Sequence, residues 1–246
     1  MDASPTTHVA LLDGFALHRD GSGPDTALGE LPHGVQRVVA RLGMVGRLAR
    51  TAAAGQLWPD VPEEHALGSL RSALWRLHKV APGLVVASGG VLSLAAGVRV
   101  DVRELTEWAQ GVLGRQAPVD GVAAVPDVGL RGELLPGWYD DWVLLERERL
   151  RQLRIHALEA LADRLITAGR FGEASQAAYA AAQAEPLRES AHRAVVRVHL
   201  AEGNVVEAVR AYDSFRVLLA AELGVAPTPQ MDQLVGALRR VRTPAV

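Results

Sequence analysis

The residues best suited to chemistry lie in a single run, Glu63 to Val80. At a helical repeat of ~100° per residue, Gly68, Ser69, Ser72, Trp75, Arg76 and Lys79 share a face, with Arg71 on its flank. Arginine and lysine on such a face can bond guanine edges or phosphates, and serine can bond either. A small residue such as Gly68 permits close approach to a duplex. Trp75 admits two readings, packing against a neighbouring hairpin or touching DNA. Arg50 and Thr51, at the head of the preceding short helix, and Ser88, beside a glycine turn, complete the candidate DNA-binding set. The competing reading of the whole face is an ordinary solvated helix surface.

Catalytic chemistry finds no comparable foothold. Gly21-Ser22-Gly23 runs into Pro24 rather than a helix, and no Walker sequence follows, so it does not make a phosphate loop. The eight histidines show no metal-binding spacing; His192 and His199 lie seven apart and read as surface positions of a helix. Asp140-Asp141 is more simply the N-terminal cap of a helix than a carboxylate pair for catalysis. The chain therefore reads as a non-enzyme with no cofactor and no metal.

Composition agrees. With 246 residues, 49% hydrophobic and 22% charged, the chain is long enough for one or two domains with a real core. Cysteine is absent, which removes disulfides and thiolate sites and leaves the cytoplasm, in association with the nucleoid, as the expected compartment. No stretch reads as a membrane span or secretion signal, so no membrane partner is expected. A single lysine, Lys79, against 25 arginines is the bias of a GC-rich bacterial genome. The net charge of −2 hides a local pattern. Val35 to Pro59 holds Arg37, Arg41, Arg47 and Arg50 with no acid, and His65 to Arg99 holds Arg71, Arg76, Lys79 and Arg99 with none. Residues 100–246 carry 17 basic and 20 acidic side chains, so positive clustering is confined to the N-terminal part.

The elements that must position the face can be read in order. His8 to Leu17 reads as a short strand pair, and Ala27 to Leu31 as a return to β after a Gly/Pro/Asp-rich stretch. Val35 to Leu48 reads as a first helix, with Gly43 and Gly46 marking where it frays or ends, and Ala52 to Leu57 as a second with Thr51 as its N-cap, stopped by Trp58-Pro59. Glu63 to Val80 is the third, with Leu67, Leu70, Leu74 and Leu77 as its core stripe. Leu84 to Ser88 and Val91 to Ala95 form a hairpin about Gly89-Gly90. Strands, three helices and a hairpin are the order of a winged helix-turn-helix, whose third helix enters the major groove.

After Asp101 the signal is helical only. Val102 to Leu113 is amphipathic, residues 114–137 form a connection, and helix resumes at Asp140. Gly169-Arg170-Phe171-Gly172-Glu173-Ala174 aligns with Gly203-Asn204-Val205-Val206-Glu207-Ala208, 34 residues on, the period of a tetratricopeptide hairpin. In each copy the glycine should end one helix and the Glu-Ala pair start the next, with flanking helices completing the stack.

Several motifs carry a family resemblance. Leu57-Trp58-Pro59-Asp60, Ala73-Leu74-Trp75-Arg76-Leu77, the Gly89-Gly90 turn and Val98-Arg99-Val100-Asp101-Val102 resemble the winged-helix domain of the Streptomyces antibiotic regulatory protein family. The run Gly132-Glu133-Leu134-Leu135-Pro136-Gly137-Trp138-Tyr139-Asp140-Asp141-Trp142-Val143, with Glu146-Arg147, Glu185-Pro186-Leu187-Arg188-Glu189 and Ala221-Glu222-Leu223-Gly224-Val225-Ala226-Pro227-Thr228, is similar to that family's bacterial transcriptional activator domain. The expected fold class is thus an α+β, OmpR-type winged helix-turn-helix over residues 1–99, followed by an all-α, TPR-like domain over 100–246. The resemblance implies an activator of pathway or secondary-metabolite genes that binds double-stranded DNA at promoter direct repeats and recruits RNA polymerase with its sigma factor. It implies a monomer or weak homodimer that becomes cooperative on DNA. One departure is the start of the first helix, Pro32-His33-Gly34-Val35-Gln36, which delays the first arginine to Arg37 and allows for weaker DNA binding. The alternative is an interaction or small-molecule-sensing module, with the helical domain as the sensor and DNA affinity weak or lost.

Overall fold

The computed structural model describes residues 7–19, 31–114, 125–130 and 132–241. They pack as two compact units, Met1–Leu105 with Glu133–Arg147, and Thr106–Gly132 with Glu148–Val246.

In the first unit, β1 (Thr7–Ala10) and β2 (Ala16–Arg19) form the antiparallel pair expected from the alternation in His8 to Leu17, with Val9 opposite Leu17. Ala27 to Glu30 lie outside the described residues. The sheet is completed by β6 (Arg99–Val100), parallel to β1. Asp101 sits directly behind it, 1% exposed, with its carboxylate accepting the backbone N–H groups of Leu11 and Leu12 at 2.9 Å and of Val102 at 2.7 Å. One side chain thus ties the end of β1 to the start of the following helix, satisfying donors that β1 would otherwise bury unpaired.

Helix α1 (His33–Val45) buries Val35, Val38, Val39 and Leu42. It ends at Gly46, one of the two glycines that mark its end in the sequence, which takes φ +81° as β3 (Arg47–Ala49) leaves to join a second sheet. Arg103 caps this end, donating to the carbonyls of Gly43 at 2.7 Å and Leu42 at 2.8 Å. Helix α2 (Arg50–Leu57) follows without a break. The expected N-cap role of Thr51 is not observed: the cap is Ala49, without a side-chain bond, and Thr51 is an exposed first-turn residue. The Arg50 N–H is instead satisfied by the Gly90 carbonyl at 2.9 Å, so a tertiary partner replaces the local one.

Helix α3 spans Glu63–Val80, as read from sequence. Strands β4 (Val85–Ser88) and β5 (Val91–Leu94) form the expected hairpin, with Gly89 and Gly90 at φ +56° and +77°, the paired positive values that a two-residue turn of this hand requires. The sheet order is β3-β5-β4, which leaves β4 at an edge.

Residues 133–147 belong to this unit rather than to the helices that follow, so a single cut between 99 and 100 does not describe the packing. Leu134 bridges Leu12, the Leu135 N–H donates to Leu11 O at 2.8 Å, and the Asp13 N–H donates to Glu133 O at 2.8 Å. Arg147 gathers the bend by donating to the carbonyls of Leu134, Leu135 and Trp138 at 2.8–3.0 Å. That grip holds Leu135 at φ +43°, a conformation unfavourable for a leucine.

The second unit is helical throughout its described residues. Helix α4 (Asp101–Leu113) and α6 (Asp141–Thr167) cross the division, and α5 (Asp127–Leu130), α7 (Phe171–Ala184), α8 (Glu189–Glu202), α9 (Val205–Leu223) and α10 (Pro229–Val241) lie within it. The 34-residue alignment corresponds to two helical hairpins: Gly169 and Gly203, at φ +72° and +85°, end α6 and α8, and the Glu-Ala pairs lie in the first turns of α7 and α9. Ala174, Ala177, Ala178 and Ala181 let α7 approach Leu158, Leu161 and Leu165 of α6 and Ala191, Ala194 and Val198 of α8. Phe215, Tyr212, Met231 and Val235 form a second cluster under α10. The Glu185–Glu189 motif is structural: Arg188 bonds Glu159 and Gln152 at 3.0 Å, while Glu189 accepts the Thr228 N–H at 2.8 Å and its hydroxyl, fastening α10 to α8.

Candidate nucleic-acid interface

Helix α3 buries Ala66, Leu70, Ala73 and Leu77, not the all-leucine stripe; Leu67 and Leu74 are only half-buried. Alanines at 66 and 73 occupy the contact line because α1 and α2 approach closely there, and leucines serve as flanks. The rotation matters for the outer face. Its centre carries Gly68, Arg71, Ser72, Trp75 and Lys79, whereas Ser69 and Arg76 fall on the flank toward α1. Arg71, Ser72, Trp75, Arg76 and Lys79 are exposed, and Ser69 is half-buried.

Trp75 is 60% exposed, so the reading in which it packs against the hairpin is not what the fold adopts. Its only aromatic-range neighbour described is Lys79, whose Nζ lies 3.8 Å from the ring centroid. Ser72 donates to the Gly68 carbonyl at 3.1 Å, one turn back along the helix. On the flank, Ser69, Ser72, Arg71 and Arg76 line a groove of about 760 Å³ whose far wall is Pro32, Gly34 and Trp58. His65 and Glu64 also line it, contributions that helical spacing alone did not single out. Neither Arg71 nor Arg76 is held in an ion pair among the described residues.

The remaining candidates stand apart from this ridge. Arg50 is half-buried and lines a small cleft of about 130 Å³ beneath the hairpin, with Leu74, His78, Val85 and Ala87. Thr51 is exposed on α2, and Ser88 is exposed where β4 meets the glycine turn.

Two arginines of the first basic stretch are committed elsewhere. Arg37 pairs with Asp140, which gives that carboxylate a partner in α1 in place of the simple helix cap read from sequence. Arg41 bonds Gln56 at 3.0 Å and lies 5.2 Å from the Trp142 ring, and burial pulls its pKa down. Arg99 is taken by Glu104 at 2.7 Å. The exposed basic side chains of the two stretches without a described ion pair are those of α3 and, in the short strand before α2, Arg47. His192 stacks on Phe215 at 4.1 Å and donates to the Pro186 carbonyl at 2.9 Å, while His199 bonds the Tyr179 hydroxyl at 3.2 Å. Among the described residues no group of three or more histidines or acids is arranged to hold a metal, and no helix is long and apolar enough to cross a membrane.

Residues 130–239 match the family model of the bacterial transcriptional activator domain. Over that stretch the chain is similar to the bacterial transcriptional activator domain. The match begins at the end of α5, takes in the strap formed by residues 133–147, which folds with the first unit, and runs into α10, so the activator domain as a sequence family overlaps both units. The resemblance to the Streptomyces antibiotic regulatory protein family holds. Regulatory protein AfsR of Streptomyces coelicolor and its namesake in Streptomyces griseus are each 32% identical over 202 residues, 76% of this chain. The chain spans 20% of the length of those relatives. Among solved structures, Mycobacterium tuberculosis EmbR in complex with a low-affinity phosphopeptide superposes with a TM-score of 0.68 at 20% identity, over 98% of this chain and 67% of that one. At that identity the similarity is one of fold, in which helices accompany small sheets, and the activator domain here shares it.

Proposed function

We infer that this protein is a sequence-specific DNA-binding transcription regulator that activates its target genes by recruiting RNA polymerase. The observation that carries the reading is the outer face of α3: Arg71, Ser72, Trp75 and Lys79 with Arg76 on the flank, neither arginine in an ion pair among the described residues, beside a glycine-tipped hairpin in the order of a winged helix. In this reading residues 1–99, completed by 133–147, are the winged-helix body, and the TPR-like helices present the surface that meets polymerase and sigma factor. Promoter direct repeats suit protomers placed side by side, cooperative on DNA and weakly associated off it.

The test is a mobility-shift assay with the full chain and duplex fragments from upstream of its own gene, in competition with random DNA. A retarded complex that survives competitor is expected. No shift at low salt, where counterion release favours binding most, would refute the reading. A ligand-sensing role for the helical unit has thinner support. A groove of about 620 Å³ beside Ile166, Thr167 and Leu200 is shallow, and its rim is occupied by the Arg197–Asp163 pair at 2.8 Å.

A further inference from the structure

The geometry points to Trp75 as the residue that reads a thymine methyl group in the operator. The inference rests on the DNA-binding reading above and adds to it the base chemistry that the ridge would recognise.

An indole left 60% exposed forgoes much of the stabilisation that burying its apolar surface would bring. Nothing nearby shields it. Gly68 has no side chain, and the Ser72 hydroxyl is turned back onto the Gly68 carbonyl of its own helix. The Lys79 ammonium, 3.8 Å from the ring centroid, attracts the ring and orients it. The result is an oriented apolar ledge at the centre of the outward face, bordered by Arg71 and Lys79.

In a major groove such a ledge has few complements. Purine edges and cytosine offer donors and acceptors, and an indole N–H can donate to the N7 of either purine without telling them apart. The C5-methyl of thymine is the apolar group in that groove, and it belongs to one base alone. Arg71 and Lys79 supply the charge that brings phosphates or guanine to the same neighbourhood. A protein partner could also cover an exposed tryptophan, but Lys79 over its ring and Arg71 on the same face favour a polyanion.

The experiment begins by selecting binding sites for the full chain from a random duplex library. In the selected duplex each dT is then replaced singly by deoxyuridine, which keeps the base pair and removes only the methyl group. Wild type should lose about fourfold in affinity at one or more positions, the worth of one buried methyl. Trp75→Ala should bind more weakly and be indifferent to those same replacements, while Trp75→Leu should retain part of the discrimination. Circular dichroism melting of both variants should match wild type, because the ring is not part of the core. A wild type indifferent to every deoxyuridine, or a Trp75→Ala variant with the wild-type profile, would overturn the inference while leaving DNA binding intact. A library that enriches no sequence would overturn both.

Discussion

Arg76 illustrates how much hangs on the few tens of degrees by which α3 is rotated from its leucine stripe. It is exposed, but on the flank that faces the groove beneath Pro32 and Trp58, not at the centre of the ridge. Arg76→Ala should leave folding within ~0.5 kcal/mol of wild type, since no core atom is removed. If the arginine reads guanine, the cognate site should lose ~1–3 kcal/mol and random DNA much less; if it meets phosphate, both should weaken alike and the salt slope should fall by about one. Titrations at two salt concentrations separate these outcomes, and equal affinities for mutant and wild type would remove Arg76 from the interface. Asp101 makes the opposite case, a charged residue with a purely architectural task. Burial pushes its carboxyl upward while three backbone N–H groups pull the other way. Asp101→Ala strands the Leu11 and Leu12 donors, and at ~1–3 kcal/mol for each unsatisfied buried group the first unit should lose about 2–6 kcal/mol. Urea denaturation measures it; a loss under 1 kcal/mol would mean that water replaces the carboxylate.

At the scale of elements, α8 and α9 are joined by a contact that titrates. Burial against Phe215 lowers the pKa of His192 below its ordinary 6.5, outweighing the Pro186 carbonyl, which favours the proton. A lowered pKa means that the unfolded chain takes up the proton first. Its contribution is therefore present in full above pH 6.5 and shrinks as pH falls from there through the lower folded value. Thermal midpoints of the full chain should decline from pH 7.5 to 5, and His192→Gln should flatten that decline. An unchanged slope in the variant would assign the pH dependence to other groups. The hairpin and α3 were legible from sequence because their signals are local: a Gly-Gly pair between β-branched runs, and acids at one end of a helix with Lys79 at the other. Strand β3 and the missing cap at Thr51 were not, because they are set by pairing with β5 and by the Gly90 carbonyl, more than 30 residues away in sequence.

At the scale of the whole molecule, the winged-helix body is discontinuous. Leu134, Leu135 and Val143 are wholly buried in it, and Arg37–Asp140, Arg41–Trp142 and the Arg147 bonds hold the strap in place. A fragment ending at residue 114 should be less stable than one ending at 147 by about 5 kcal/mol or more, as three buried apolar side chains are worth ~1.5–3 kcal/mol each. Comparison of the two melts by circular dichroism decides it, and coincident midpoints would mean that the strap is passive. A DNA-binding fragment cut at residue 99 would lack both Asp101 and the strap, so a failure to bind would say nothing about α3.

By itself the sequence determined the order of the first strand pair, the three helices and the hairpin, and the 34-residue helical repeat, but not strands β3 and β6 or the rotation of α3 about its axis. What it determined is written in neighbouring residues, through periodicity, turn chemistry and spacing. The family resemblance lay in the same short motifs. Only the tertiary structure decided which members of the basic stretches stay at the surface. Arg37 and Arg41 looked equivalent to Arg71 and Arg76 in a charge count, yet each is engaged by a partner on a distant segment, Asp140 and Trp142 respectively. It also decided that the Trp138–Val143 motif completes the first unit and that Trp75 stands clear of the hairpin. The physical reason is common to all of these: the partner of a charge, and the cover of an aromatic ring, are chosen by which elements the core brings together, and that choice has no local signature in the chain.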